Sequence, residues 1–257
     1  MSETVLQQLK DGVLEITLNR PARKNAFSRE QWTALADAMN AAKDNPAVAC
    51  VLLTGTGGNF SSGVDLSDFG GGDPNEEQPF FKTQRAMFAF DKPLLAAAQG
   101  VAVGGGATLL LHCDVIYVAP SLRLRFPFVS LGLVPEFGSS YMLQAMIGSR
   151  RAAELMYTAE WVTAQKAFDV GIATAVIDDE MILDHARAKA REIAQWPVRS
   201  LQETKRCMKA PHAQSLVSAG ELEQQGMMRL AGSPENIEAV TAFLEKRAPD
   251  FSKFHQS

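Results

Sequence analysis

Three cysteines in 257 residues, at Cys50, Cys113 and Cys207, are too few and too far apart for a disulfide scaffold or a zinc site. Cys50 and Cys113 lie in apolar stretches, so buried free thiols in a reducing, cytoplasmic compartment are expected. No apolar run approaches the roughly 18–20 residues that a membrane span needs. The opening stretch MSETVLQQLKDG is polar and lacks the basic-then-apolar order of a signal peptide. There is no basic excess either. Lys and Arg number 25 against 29 Asp and Glu, a formal charge of −4, which with no basic stripe argues against a nucleic-acid partner. The four histidines, His112, His185, His212 and His255, form no metal-ligand pair. No G-x-S-x-G elbow surrounds Ser61, Ser62, Ser139 or Ser140, so a Ser-His-Asp triad is not expected. What remains, 46% hydrophobic and 21% charged, is the balance of a globular protein able to bury a sizeable core.

The first half alternates strand and helix signals. Residues 13–18 alternate polar and apolar, as a half-buried strand does. Ser28 with Gln31 three residues on has the form of a capping box, and Trp32, Leu35 and Met39 then share one helical face up to Pro46. Residues 47–54 and 94–98 are continuous small or branched apolar runs, the mark of strands covered on both faces, so βαβ units and a parallel sheet are expected. Residues 107–112 fit a short buried helix and 115–118 another strand. The Gly-, Pro- and acid-rich stretch 66–81 reads as a loop, either a lid or a surface excursion. After Ser149 helical periodicity dominates apart from 172–177. The last helix opens at Ser233-Pro234 and carries Ile237, Val240, Phe243 and Leu244 on one face. The expected organisation is an α/β core over 1–198 followed by a helical C-terminal segment over 199–257.

Gly104-Gly105-Gly106 follows a strand signal and precedes a helix signal, but it lacks both the G-x-G-x-x-G spacing and the GK[ST] ending of phosphate loops. On its own it fits close packing as well as anion binding. A second glycine turn, Asn59-Phe60-Ser61-Ser62-Gly63-Val64-Asp65-Leu66, follows the 47–54 strand. Two neighbouring parallel strands therefore end in glycine turns on the edge where α/β folds bind ligands. Each turn can offer one backbone N–H to a single oxygen, as an oxyanion hole does.

These turns, together with Asn19-Arg20-Pro21, Asn25-Ala26, Lys92-Pro93, Cys113-Asp114, Leu131-Gly132-Leu133-Val134-Pro135 and Phe243-Leu244-Glu245-Lys246-Arg247, resemble the crotonase superfamily of enoyl-CoA hydratases and isomerases, in order and over nearly the whole chain. The resemblance implies a spiral of ββα turns with a helical C-terminal trimerisation segment, and a homotrimer or dimer of trimers. It implies an acyl-CoA substrate, with CoA carried by the substrate and no separate cofactor. It places the oxyanion hole at the backbone N–H groups of Val64 and Gly105. The substrate-binding set it implies is Arg23, Lys24, Ala26, Ser62, Asp65, Leu66 and Phe128. Arg20 is a further candidate phosphate contact, with Lys246 and Arg247 as weaker ones.

The acid–base positions depart from the hydratase pattern. Where hydratases carry two glutamates this chain has Thr108 and Phe128, and neither can act as a base near neutral pH. One acid does stand in the right segment, Glu136 among Phe126, Phe128, Val134 and Phe137, a setting that raises a carboxyl pKa. The run Pro135-Glu136-Phe137-Gly138-Ser139-Ser140 is similar to the 3-enoyl-CoA to 2-enoyl-CoA isomerase branch, in which this glutamate is the single base. Residue type alone leaves a second reading open, that Glu136 caps the helix starting near Gly138. The dienoyl-CoA isomerases pair this acid with a glutamate where Phe128 stands, so they fit less well. Phe126 and Phe128 fit either an acyl pocket or the core. Other readings are a weak hydratase or thioester hydrolase on the same scaffold, or a catalytically silent acyl-CoA-binding protein.

Overall fold

The computed structural model describes residues 3–65 and 77–254. The chain opens with an antiparallel pair, β1 (Val5–Lys10) and β2 (Val13–Leu18), joined through Asp11 and Gly12, both at positive φ as a tight hairpin turn requires. In α1 (Arg29–Asp44) Ser28 accepts a hydrogen bond from the Gln31 amide at 3.2 Å. The Gln31 side chain does not complete the capping box. It donates instead to the Thr4 carbonyl at 2.9 Å and ties α1 to the start of β1. At the other end the Lys92 ammonium donates to the Ala42 and Asn45 carbonyls, closing off the helix.

Next come β3 (Cys50–Gly55), α2 (Pro79–Ala89), β4 (Leu94–Ala98), β5 (Val101–Val103), α3 (Gly105–Leu110), β6 (Val115–Val118) and β7 (Arg123–Arg125). The second half holds α4 (Ser139–Ile147), α5 (Ser149–Thr158), β8 (Val162–Thr163), α6 (Ala164–Val170), β9 (Ala175–Val176) and α7 (Ile182–Ala194). It ends in α8 (Val198–Lys209), α9 (Ala213–Leu230) and α10 (Pro234–Leu244). The main sheet has the order β1-β2-β3-β4-β6-β9 and is parallel from β2 onward, while β5, β7 and β8 form a smaller second sheet.

The parallel strands are covered on both sides because successive side chains leave a strand on opposite faces. Val51 and Leu53 of β3 enter the larger core with Leu35 and Met39, whereas Cys50 and Leu52 pack against Ile182, Ala186 and Ala190 of α7. Burial pushes the Cys50 thiol up to about 12, so it stays protonated and inert.

Three expectations change. Pro79, buried at the first helical position, starts α2 inside the stretch read as loop, and residues 66–76 of that stretch lie outside the described residues. α3 begins at Gly105 rather than Ala107, because Gly104 (φ 51°) makes the turn into it. In α10 the buried face is Asn236, Glu238, Ala239 and Ala242, and the apolar side chains of Ile237, Phe243 and Leu244 are exposed. Among the described residues no helix is long and apolar enough to cross a membrane.

Candidate active site

The segment 61–65 after β3 zips between two others. Its Ser61 amide donates to the Val101 carbonyl and its Ser61 carbonyl accepts from Val103, while on the other side Phe27 donates to Gly63 and Asp65 donates to Phe27. Glycine is needed at the joints. A Cβ on Gly63 (φ 89°) would stand 2.6 Å from the Val103 carbonyl oxygen, and one on Gly106 would stand 2.5 Å from that of Ser61. The same contact brings the turns together, since the Gly63 Cβ position lies 3.7 Å from the Gly105 nitrogen. Among the described residues neither the Val64 nor the Gly105 N–H donates to another protein group. Two free amides therefore flank one place, and that of Gly105 opens α3.

The loop after β2 is built to hold these turns. Buried Asn25 (φ 55°) donates from its side chain to the Thr56 and Asn59 carbonyls, at 2.9 and 2.7 Å. Arg20 donates to the Ala26 carbonyl and pairs with Asp65 at 2.9 Å. This commits Arg20 and Asp65 to each other, so Arg20 ties the loop together and is not left facing a phosphate. Arg23 and Lys24 are exposed, and their carbonyls accept from the Ser62 hydroxyl and amide. Leu66 lies outside the described residues. Arg247 is held by Glu238 and Glu245 at 2.6 and 2.7 Å, and among the described residues exposed Lys246 has no such partner.

Glu136 sits on the turn leading into α4, where Phe137 (φ 64°) and Gly138 (φ 71°) are consecutively left-handed. A side chain at 138 would meet Leu216 at 2.4 Å, so only glycine passes there. The turn carries the Glu136 carboxyl to Gly105. A Cβ on Gly105 would stand 3.3 Å from Glu136 Oε1 and 3.1 Å from the Trp32 ring. Among the described residues this carboxyl accepts no hydrogen bond. Burial, aided by the charge of Glu223, pushes it up to about 8.

Glu136 does not cap α4. Glu223 of α9 takes that place, accepting from the Gly138 and Ser140 amides at 2.6 and 2.8 Å. His112, buried after α3, donates from Nε2 to the Phe137 carbonyl at 2.7 Å. A carbonyl only accepts, so the proton is on Nε2; burial drives the ring down to about 3, and it stays neutral. Trp32, Phe80, Phe88 and His112 surround Phe137 in stacked, edge-on or tilted contacts. Phe126 and Phe128 are buried within the apolar core, and the Thr108 hydroxyl turns back to the Gly105 carbonyl at 3.4 Å. Cys113-Asp114 is a structural joint. Asp114 accepts from the Leu94 amide and pairs with buried Lys205 at 2.6 Å.

The structure thus gathers Val64, Gly105 and Glu136 at one place. Sequence reasoning missed Trp32, Phe80, His112 and Glu223 as neighbours of that place. Only Phe80, an aromatic just inside a proline-started helix, carried a local signal. The family model for enoyl-CoA hydratase/isomerase matches residues 8–254. The 1,2-epoxyphenylacetyl-CoA isomerase of Escherichia coli (strain K12) is 34% identical over 98% of this chain and 99% of its own length. The 2,3-dehydroadipyl-CoA hydratase of the same organism is 31% identical, over 98% and 99%. A solved enoyl-CoA hydratase/isomerase from Pseudoalteromonas atlantica T6c superposes with a TM-score of 0.93 at 33% identity, covering 96% of this chain and 99% of that one. The chain belongs to the enoyl-CoA hydratase/isomerase family, with the α/β crotonase fold. It is a crotonase-fold acyl-CoA enzyme.

Proposed function

We propose that the enzyme shifts the double bond of a 3-enoyl-CoA to the 2-trans position. The carrying observation is the Glu136 carboxyl beside the Gly105 turn, which accepts no hydrogen bond among the described residues, with Thr108 and Phe128 where the resemblance implies a hydratase's two acids. In the reaction, the ionised Glu136 takes the proton from C2 and the electron pair passes to the thioester oxygen. The Val64 and Gly105 amides hold the resulting dienolate. Glu136 then returns its proton to C4, the C3=C4 bond becomes C2=C3, and the thioester carbonyl re-forms. The balance closes with no water and no cofactor beyond the CoA of the substrate. Hydration would need one group to activate water and a second to protonate carbon.

Exposed Arg23 and Lys24 are assigned to the CoA phosphates on their charge and their place beside the Ser62 turn. The free thiols Cys50 and Cys113 suit a cytoplasmic setting. The proposed assembly is a homotrimer or dimer of trimers, supported by the exposed apolar side chains of α10.

The test offers purified protein 3-enoyl-CoA and, separately, 2-enoyl-CoA, with Glu136→Gln alongside. Isomerisation is expected, and Glu136→Gln should lower kcat by about 10²–10⁴-fold while acyl-CoA still binds. Undiminished turnover in the variant would overturn the assignment of Glu136. Hydration or thioester hydrolysis without isomerisation, or binding with no turnover, would overturn the reaction.

A further inference from the structure

Helix α9 lies over the catalytic turn along one face. Leu216, Gly220, Glu223 and Gly226 recur at helical spacing, and all four meet the turn or its neighbours. Leu216 fills the space beside Gly138, and Gly220 lies against Phe88 and Gln84. A Cβ on Gly226 would stand 2.9 Å from Val134, so this glycine lets the helix come close. At the centre of that face buried Glu223 takes two amides at the start of α4. Those amides are the natural partners of any nearby carboxylate, because a helix start presents unsatisfied N–H groups and a positive dipole end.

We propose that Glu223 is a positioning residue for Glu136: by occupying the Gly138 and Ser140 amides it fixes the 135–138 turn and denies the helix start to the Glu136 carboxyl, which is thereby kept unpartnered. This rests on Glu136 being the base. A Glu136 carboxylate captured there would be a weaker base, turned away from the Gly105 amide.

The other groups around the turn leave Glu223 as the charge that acts on Glu136. His112, from the end of α3, is neutral. Lys205 and Lys209 of α8 act on His112, and Lys205 is itself paired with Asp114. Tyr141 of α4 is joined to His212 at 2.6 Å on the exposed side. α1 and α2 contribute the rings of Trp32, Phe80 and Phe88.

The experiment compares wild type, Glu223→Gln, Glu223→Ala and Glu136→Gln in the full-length protein. It reads kcat and KM against pH, thermal melting, and the titration of the Glu136 carboxyl by carbon-13 NMR. Glutamine keeps the shape but loses the charge and one acceptor. Glu223→Gln is expected to lower kcat about tenfold with KM within about twofold. The acidic limb of kcat/KM and the Glu136 titration should both move to lower pH, by about one unit. Glu223→Ala should move both at least as far. A lower melting temperature in both Glu223 variants with kcat, KM and the Glu136 titration unmoved would reduce Glu223 to a helix cap and overturn the proposal. Because the NMR titration does not depend on turnover, activity surviving in Glu136→Gln would overturn the role of Glu136 separately.

Discussion

Glu136 combines two conditions that seldom coexist in a folded protein, a carboxyl whose pKa is raised by burial and, among the described residues, no hydrogen-bond partner for it. Its cost to stability has a definite pH dependence. The carboxyl is held at about 8 in the folded protein against 4.5 for an ordinary glutamate, so folding favours its protonated form. Below pH 4.5 both states are protonated and nothing is lost. Between 4.5 and 8 stability falls because the unfolded chain ionises this carboxyl while the folded protein keeps it protonated, and above 8 the loss is complete. Glu136→Gln removes this cost. It should melt about 4 °C or more above wild type at pH 9 and match it at pH 4, in scanning calorimetry across that range. A gap independent of pH would show that the carboxyl is not desolvated. The same trade between activity and stability is seen where functional sites hold strained or unpaired groups.

At the scale of elements, the proposed oxyanion hole is a contact between two turns rather than a feature of either. The 61–65 segment and the Gly104–Gly106 turn approach closely enough that Gly106 has no room for a methyl group, its Cβ position being 2.5 Å from the Ser61 carbonyl oxygen. Gly106→Ala must push the segments apart. It is expected to cost about 1–3 kcal/mol of stability in denaturant titration. It should also lower kcat by about 10²-fold, because a displacement near 1 Å at a reacting centre has that effect. A variant with normal kcat would show that the hole tolerates separation of the turns. The glycines here were legible as a turn signal in the sequence. Their requirement was not, because it comes from a backbone more than 40 positions away along the chain.

For the molecule as a whole, the helical segment plays two parts. Its inner face, through Leu216, Glu223 and Gly226, covers the turn that carries Glu136. Its outer face leaves Ile237, Phe243 and Leu244 of α10 at 57%, 62% and 68% exposure. Exposed apolar side chains of this kind suit the proposed contact between copies of the chain. In sedimentation velocity the wild type should run as a trimer or hexamer, and Phe243→Glu with Leu244→Glu should yield smaller species. A monomeric wild type would overturn the assembly.

The alternation of strand and helix, the two glycine turns and the lone acid of the Pro135-Glu136 run were legible in the sequence, but the turns follow β3 and β5, which belong to different sheets and are not the neighbouring strands the pattern suggested. The resemblance the sequence carries implies that Thr108 and Phe128 stand where hydratases hold their two glutamates. These are local features, set by side-chain period, backbone freedom and residue type, and such features survive in a linear reading. The tertiary structure alone decided that Arg20 belongs to Asp65, that Trp32 and Phe80 wall the turn, and that Glu223, 85 positions from Gly138, caps the helix that Glu136 leaves free. In sequence Glu223 is one polar residue in a run of Glu and Gln on a helix, like any solvent-facing position. Its role comes from where α9 docks, which depends on Gly220, Gly226 and Leu216 matching the surface of Phe88, Val134 and Gly138. That match is a property of packing in three dimensions, and no local pattern encodes it.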